Sequence, residues 1–395
     1  MKSEFRGRMN VGVAILILIL ASVAPLSIHA IARAKSFVYF GTYPHHGSKG
    51  IYVSTFDSTS GHISSPKLAV ETSAPSFLAI NSSHLFLYAV NETNRFNDQP
   101  TGAVSAFAVD STTGRLKFLN EVPSRGAGPA FITLDRTEHF ALVANYDGGS
   151  IAVFRLSPDG KIGESTAYVA HRGGSVNRDR QEAPHAHAVA VPPDNHFAIV
   201  ADLGLDELLE YPFDASGGTL GQPRIVRSRP GDGPRHLIFS ANGKFVYVVN
   251  ELSSTVTVYS YDSRDAALAP LQELSSLPAG YTGTASTAGE IVLHPSGKFL
   301  YASNRGEDKD SIAVFDVDTR KGTLALVENV STQGRTPRSF AIDPSGKWML
   351  VANQDSNAIF VFSIGEKTGR LTASGQSIQI NSPAMVDFIS PAGEK

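Results

Sequence analysis

Pro337-Arg338-Ser339-Phe340-Ala341-Ile342-Asp343-Pro344-Ser345-Gly346-Lys347-Trp348-Met349-Leu350-Val351-Ala352-Asn353 is the clearest copy of a phrase that this chain runs through seven times. Its first half alternates small and large apolar residues, as a buried strand does. Asp343 to Lys347 is a turn, because proline and glycine supply the backbone angles of a hairpin reversal. Trp348 to Ala352 is the returning strand, and Asn353 ends it. A third strand follows, Ala358-Ile359-Phe360-Val361-Phe362, and runs into a turn at Gly369-Arg370-Leu371.

The other copies keep this order. Second strands end at Asn91, Asn145, Asp202, Asn250, Asn304 and Asn353, spaced by 54, 57, 48, 54 and 49 residues. Third strands recur at Ile51, Val104, Ile151, Leu208, Val256, Ile312 and Ile359. Sheet units at this period are propeller blades, none of which can bury its faces without neighbours. Pro383-Ala384-Met385-Val386-Asp387-Phe388 begins an eighth phrase that stops before its second strand, and Phe37-Val38-Tyr39-Phe40-Gly41 is a second strand lacking its first. Pairing these halves removes two open edges. The expected fold is all-β, a seven-bladed propeller closed by the N-terminal strand joining the C-terminal blade.

Residues 1–34 stand apart. Lys2, Arg6 and Arg8 precede an uncharged run from Val11 to Ala24, and Ala32-Arg33-Ala34 offers a small-x-small cleavage site. This is the layout of a cleaved signal peptide, with an uncleaved anchor as the alternative. The run is short for a spanning helix, which needs roughly twenty residues. The expected domain is therefore 35–395, exported to the periplasm or secreted, with no stable membrane association after cleavage. Removing the signal takes away four basic residues and one acidic one, which moves the formal charge from −3 to −6. No basic face is implied, which argues against nucleic acid. With no cysteine, disulfides, thiolate nucleophiles and cysteine-ligated zinc are excluded.

The repeat also places the site. If each hairpin turn lies at one face of the disc, the start of strand one and the end of strand two meet at the other. The first ring of positions reads Ser76, Ala130, His187, Arg235, Gly289, Arg338 and Ala384. The second reads Thr42, Glu92, Tyr146, Leu203, Glu251, Arg305 and Gln354. An imidazole, three guanidinia and two carboxylates thus converge on one mouth of the channel, where burying them costs several kcal/mol each unless they are paired. Three irregular stretches, 93–101, 170–184 and 278–288, lead into or out of the same rim, where binding residues tend to sit.

Each candidate has a functional and a bland interpretation. His185 and His187 lie two apart on one strand and face the same side, which would suit a metal pair, but no third ligand stands out. His187 is otherwise an acid/base group or oxyanion donor, or a hydrogen-bonded channel histidine. Arg235 and Glu251 should be neighbours across one hairpin, either as a simple ion pair or as an anion grip beside an oriented base. Arg338 and Glu92 share their rings and divide evenly between substrate contact and ring electrostatics. His236 has the facing opposite to Arg235 and is expected to pack between blades; His45 and His46 are expected to be solvated. The chain lacks a Gly-x-Ser-x-Gly elbow, a His-Glu-x-x-His pair and a phosphate-binding glycine loop before a helix.

The ordered set Gly41-Thr42-Tyr43, Asn91-Glu92, Asn145-Tyr146, Arg180-Gln181 with Pro184-His185-Ala186-His187, Gly233-Pro234-Arg235-His236, Asn250-Glu251, Glu290-Ile291, Ser303-Asn304-Arg305-Gly306, Thr336-Pro337-Arg338 and Ala352-Asn353-Gln354 resembles the lactonase family of seven-bladed propellers. That family includes 6-phosphogluconolactonases of one bacterial type and the fungal carboxymuconate lactonizing enzymes. The resemblance implies a site at His187, Arg235, Glu251 and Arg305, positions that the ring geometry also selects. Its cytosolic sugar-phosphate members lack an export signal, which puts the phosphorylated substrate in question more than the lactone chemistry.

The expected function is hydrolysis of a sugar lactone without metal or cofactor. Glu251 or His187 takes the proton of the attacking water, Arg235 holds the oxyanion, and Arg305 and Arg338 grip a carboxylate or phosphate. His185, Arg338, Glu92 and Gln354 would contact an anionic small-molecule lactone, and a monomer is expected. Lactonization of a muconate and a non-catalytic exported sugar- or peptide-binding propeller are the competing readings.

Overall fold

The computed structural model describes residue 1 and residues 35–265, 267–281, 286–306 and 310–389; all but the first residue of the expected signal peptide lies outside them. These residues form seven antiparallel sheets. The sheet built on the opening phrase runs Pro337–Ile342, Trp348–Asn353, Ala358–Ile364 and Leu371–Gln379. The closing sheet is made from both ends of the chain: Pro383–Ile389 pairs antiparallel with Lys35–Thr42, which pairs with Gly50–Asp57. The ring closure inferred from the two half-phrases is present.

Second strands are the most buried. Phe140–Asn145 and Phe245–Asn250 are buried at every position, since each packs on both faces against a neighbouring blade. The core accordingly lies between blades: Tyr247, Val249, Val256 and Val258 meet Leu300, Ala302, Ala313 and Phe315 of the next sheet. Across the closure, Trp348 donates from Nε1 to the Ser58 carbonyl at 2.9 Å. Its ring lies over Gly61, where a Cβ would come within 2.5 Å and where φ is +71°. Only glycine tolerates both conditions.

A fourth, outermost strand completes each blade and was not read from the sequence. Leu371–Gln379 pairs on one side only and alternates exposed with half-buried residues, so its apolar signal is weak. In the closing sheet this strand is split into His62–Ile63 and Lys67–Glu71.

The innermost strands carry an irregularity that matters for function. Pro234 opposes Asn250 and His236 opposes Val249, which leaves Arg235 as the extra residue of a β-bulge. The same shift falls at Ala130, His187, Arg338 and Ala384, and again between Ala288 and Ile291. The first ring of the sequence analysis is thus largely a ring of bulges, which re-aim side chains and end regular pairing.

The bulge corrects one expectation. It breaks the alternation after Arg235, so His236 does not pack between blades. Its ring meets Phe77 at 5.6 Å and Phe131 at 5.1 Å between centroids, and Phe77 and Phe131 lie 4.2 Å apart. These residues come from blades that are not all neighbours, so they meet at the axis and plug the channel.

Beyond that plug, at the hairpin-turn face, a cavity of about 530 Å³ is lined by Phe77, Phe131, Met385 and Asp387. Burial pushes the Asp387 carboxyl up to about 7, and the Phe388 N–H, donating at 2.8 Å, offsets little of this. A raised folded-state pKa favours the folded state at low pH, and that advantage is lost as pH climbs from the unfolded value, about 3.9, through 7. Asp387→Asn is expected to raise the unfolding midpoint by about 2 °C or more at pH 8 and to leave it unchanged near pH 4. Equal midpoints at pH 8 in thermal melts would show that the acid is solvated.

Candidate active site

Glu251 follows the second strand Phe245–Asn250, and its carboxylate is the hub of the opposite mouth. Oε2 accepts from Arg235 Nε at 2.9 Å and forms an ion pair with Arg305, whose Nη2 stands 3.0 Å away. Oε1 accepts from Arg180 Nη2 at 2.6 Å. His187 Nε2 stands 4.0 Å from Oε2. The four residues singled out as catalytic are therefore contiguous, joined by Arg180.

Secondary contacts fix these groups. Arg235 Nη1 donates to the Gly289 carbonyl at 2.7 Å. Arg305 Nη2 donates to the Ala288 carbonyl at 2.7 Å. Glycine at 289 keeps this corner open, because a Cβ there would stand 2.6 Å from Ser303 Oγ. His185 stacks on Tyr146 at 4.4 Å, and His187 meets the same ring edge-on at 5.3 Å. The Tyr146 hydroxyl accepts from Arg180 at 3.2 Å. His236 Nδ1 pairs with Glu290 Oε1 at 2.8 Å beneath the cluster.

A second group occupies the other side of the mouth. Arg338 donates to the Tyr43 hydroxyl and lies over its ring, 4.8 Å from the centroid. That hydroxyl donates to Glu92 Oε2 at 2.7 Å. Gln354 begins a short turn, and its side-chain amide donates only to Asp355, at 3.4 Å. Its Oε1 is buried without a protein partner among the described residues. A cleft of about 840 Å³, lined by His46, Arg305, Arg335, Thr336, Asp310 and Asp355, adjoins the cluster at Arg305.

Electrostatics separates the roles. Burial opposes ionisation of Glu251, yet Arg305, Arg235 and Arg180 together hold its carboxyl well below the usual range. Burial, then Arg235 and His236, push His187 well below its ordinary value, so its imidazole is neutral and the 4.0 Å contact is no ion pair. Burial and Arg235 bring His236 down to about 4 against the pull of Glu290. Arg235 falls to about 10 through burial and Arg305, and stays protonated at neutral pH. His187 Nδ1 and Arg305 Nε are buried without a protein partner. Unpartnered buried polar atoms cost free energy, so such atoms at a site are available to a ligand.

Sequence reasoning missed three contributors. Arg180 comes from the irregular stretch at 170–184, whose path no repeat dictates. His236 was misassigned by strict alternation. Tyr43 follows the second ring by one residue and joins Arg338 to Glu92 through its hydroxyl.

A propeller whose axis is plugged by aromatic rings, with arginines and a neutral histidine gathered on one carboxylate at the mouth, defines the class: a β-propeller with a preorganised anion-stabilising site. The profile described as "Lactonase, 7-bladed beta-propeller" matches residues 37–388, and the chain belongs to that family. It is 34% identical over 355 residues to a 6-phosphogluconolactonase of Bacillus subtilis, covering 90% of this chain and 99% of that one. A 6-phosphogluconolactonase of Formosa agariphila is 32% identical over 345 residues, covering 86% and 96%. Among solved structures, the periplasmic gluconolactonase PpgL of Pseudomonas aeruginosa is 33% identical with a TM-score of 0.84, covering 90% of this chain and 99% of that one.

Proposed function

We infer that this protein is a carboxylic ester hydrolase that opens sugar lactones at the Glu251 mouth. The observation that carries the reading is one carboxylate holding three guanidinia beside a neutral imidazole with an unpartnered nitrogen. Lactonase relatives spanning nearly the whole chain support it.

His187 is the proton carrier in this reading. A neutral imidazole accepts a proton from the attacking water and returns it to the leaving ring oxygen. Glu251 is poorly suited, because its depressed pKa and its oxygens already engaged by arginines make it a weak base; it orients the guanidinia instead. Those guanidinia stabilise the oxyanion that forms at the ring carbonyl.

Charge balance favours an unphosphorylated substrate over the anionic one expected from sequence. Arg180, Arg235, Arg305 and Arg338 face Glu92, Glu251 and Glu290, with His187 and His236 uncharged, which leaves one positive charge in excess. A neutral lactone develops an oxyanion as water adds and its proton passes to His187, and the excess positive charge of the arginines stabilises that oxyanion. In the adjoining cleft a phosphoryl dianion would meet Asp310 and Asp355 as well as Arg305 and Arg335. Steady-state assays should therefore give kcat/KM about tenfold higher for glucono-1,5-lactone than for its 6-phosphate. The opposite preference would overturn the substrate assignment, and no turnover of either would overturn the lactonase reading.

The export signal in the sequence and the periplasmic relative together support a periplasmic or secreted enzyme. Cleavage after Ala34 would leave the strand Lys35–Thr42 intact for ring closure. Intact-mass analysis of the protein from its native host is expected to give residues 35–395; a full-length species in the membrane fraction would contradict this.

A further inference from the structure

We propose that Arg180, reaching in from the loop after the strand Ile162–Ala170, is the guanidinium that holds the lactone's carbonyl oxygen as it becomes negative, and afterwards the carboxylate of the opened acid. The proposal rests on the lactonase reading, but it moves the oxyanion role away from Arg235, where the sequence placed it.

All three guanidinia keep donors without a protein partner among the described residues, and they differ in whether those donors face the solvent side. Arg235 donates from Nε to Glu251 and from Nη1 to the Gly289 carbonyl, which leaves Nη2, and its side chain is 3% exposed. Arg305 donates from Nη2 to the Ala288 carbonyl beside Glu251 and keeps Nε unpartnered, but that nitrogen is buried and the side chain is 12% exposed. Arg180 donates only through Nη2, to Glu251 and the Tyr146 hydroxyl; its Nε and Nη1 carry no protein hydrogen bond among the described residues. Its side chain is 38% exposed against 7% for Glu251, so it forms the solvent side of the cluster, where a ligand enters.

The loop that carries it is a fixed arm. Gln181, the next residue, is fully buried, donates from Nε2 to the Leu203 carbonyl at 2.9 Å and accepts from the Asn177 N–H at 3.1 Å. The Gln181 N–H donates to the Asn177 carbonyl at 2.7 Å. Ser175 Oγ donates to Asp206 Oδ2 at 2.5 Å. A guanidinium held in this way loses little conformational freedom on binding, and donors placed before the charge develops need no reorganisation.

The chemistry balances as follows. Water oxygen bonds to the carbonyl carbon while one water proton passes to His187. The carbonyl π pair moves onto oxygen and is met by the free N–H groups of Arg180. As the carbonyl reforms, the ring C–O bond breaks and the ring oxygen takes the proton from His187. The acid then ionises, and its carboxylate rests on Arg180 until release.

The test compares inhibition constants for gluconate, which is charged, and glucono-1,5-lactam, which is neutral, in the full mature protein and in Arg180→Gln and Arg180→Lys. Arg180→Gln is expected to weaken gluconate at least about tenfold and the lactam less than about threefold, with kcat/KM on glucono-1,5-lactone down about a hundredfold. Arg180→Lys should restore part of the gluconate affinity. Equal weakening of both inhibitors, or none, would assign Arg180 a merely structural role and overturn the proposal. Because the readout is a ratio of binding constants, its failure in an active protein leaves the lactonase reading standing. A wild-type protein that neither turns over the lactone nor binds gluconate would end both.

Discussion

Glutamine at Glu251 is expected to lower kcat/KM for glucono-1,5-lactone by about three orders of magnitude, a loss of roughly 4 kcal/mol of transition-state stabilisation. The size follows from the carboxylate's position as the shared ion-pair partner of Arg180, Arg235 and Arg305. A neutral amide of the same shape leaves three guanidinia facing one another in a desolvated pocket. Their orientations are then lost, and with them the donor array aimed at the oxyanion. Removing one partner of a buried ion pair also destabilises the fold by about 3–5 kcal/mol, so the thermal midpoint should fall as well. Steady-state kinetics below the variant's own unfolding temperature separate the two effects. An active Glu251→Gln enzyme with wild-type kcat/KM would remove the hub from the mechanism.

Replacement of His187 by glutamine should cost about a hundredfold to ten-thousandfold in kcat, the usual range for losing a positioned proton carrier. The pH profile makes this prediction sharper. Burial, Arg235 and His236 hold the imidazole well below its ordinary value. It is protonated, and unable to accept the water's proton, only at acidic pH. The wild-type rate should therefore be flat from pH 6 to pH 8 and fall on the acid side, and His187→Gln should lose that acid limb along with most of its rate. A wild-type limb near 6.5 would mean that the imidazole is solvated and that the electrostatic account of the site is wrong.

Much of this site could be read from the chain because a propeller converts sequence period into radial position. His187, Arg235 and Arg338 share one repeat position and Glu251 and Arg305 another, so strand ends far apart in sequence could be placed on one rim. The closure was legible for the same reason, since Lys35–Thr42 lacked an inner partner that Pro383–Ile389 supplies. Features set by departures from the repeat were not legible. His236 turned toward the axis because Arg235 is a bulge, and alternation carries no mark of a bulge. Arg180 depends on the path of a loop pinned by Gln181, which residue types alone do not give. Gln354 occupies its ring position but starts a turn that directs its amide to Asp355. The outer strands, solvated along one edge, carried too little apolar alternation to be counted.

The central claim is that the lactone reacts at the mouth where Glu251 gathers its arginines. A crystal structure of the mature protein with glucono-1,5-lactam bound tests it most directly. The expected result places the lactam carbonyl oxygen within hydrogen-bond distance of the Arg180 guanidinium and its ring beside His187. Lactam bound in the Asp387 cavity at the other face, or anywhere away from Glu251, would contradict the account.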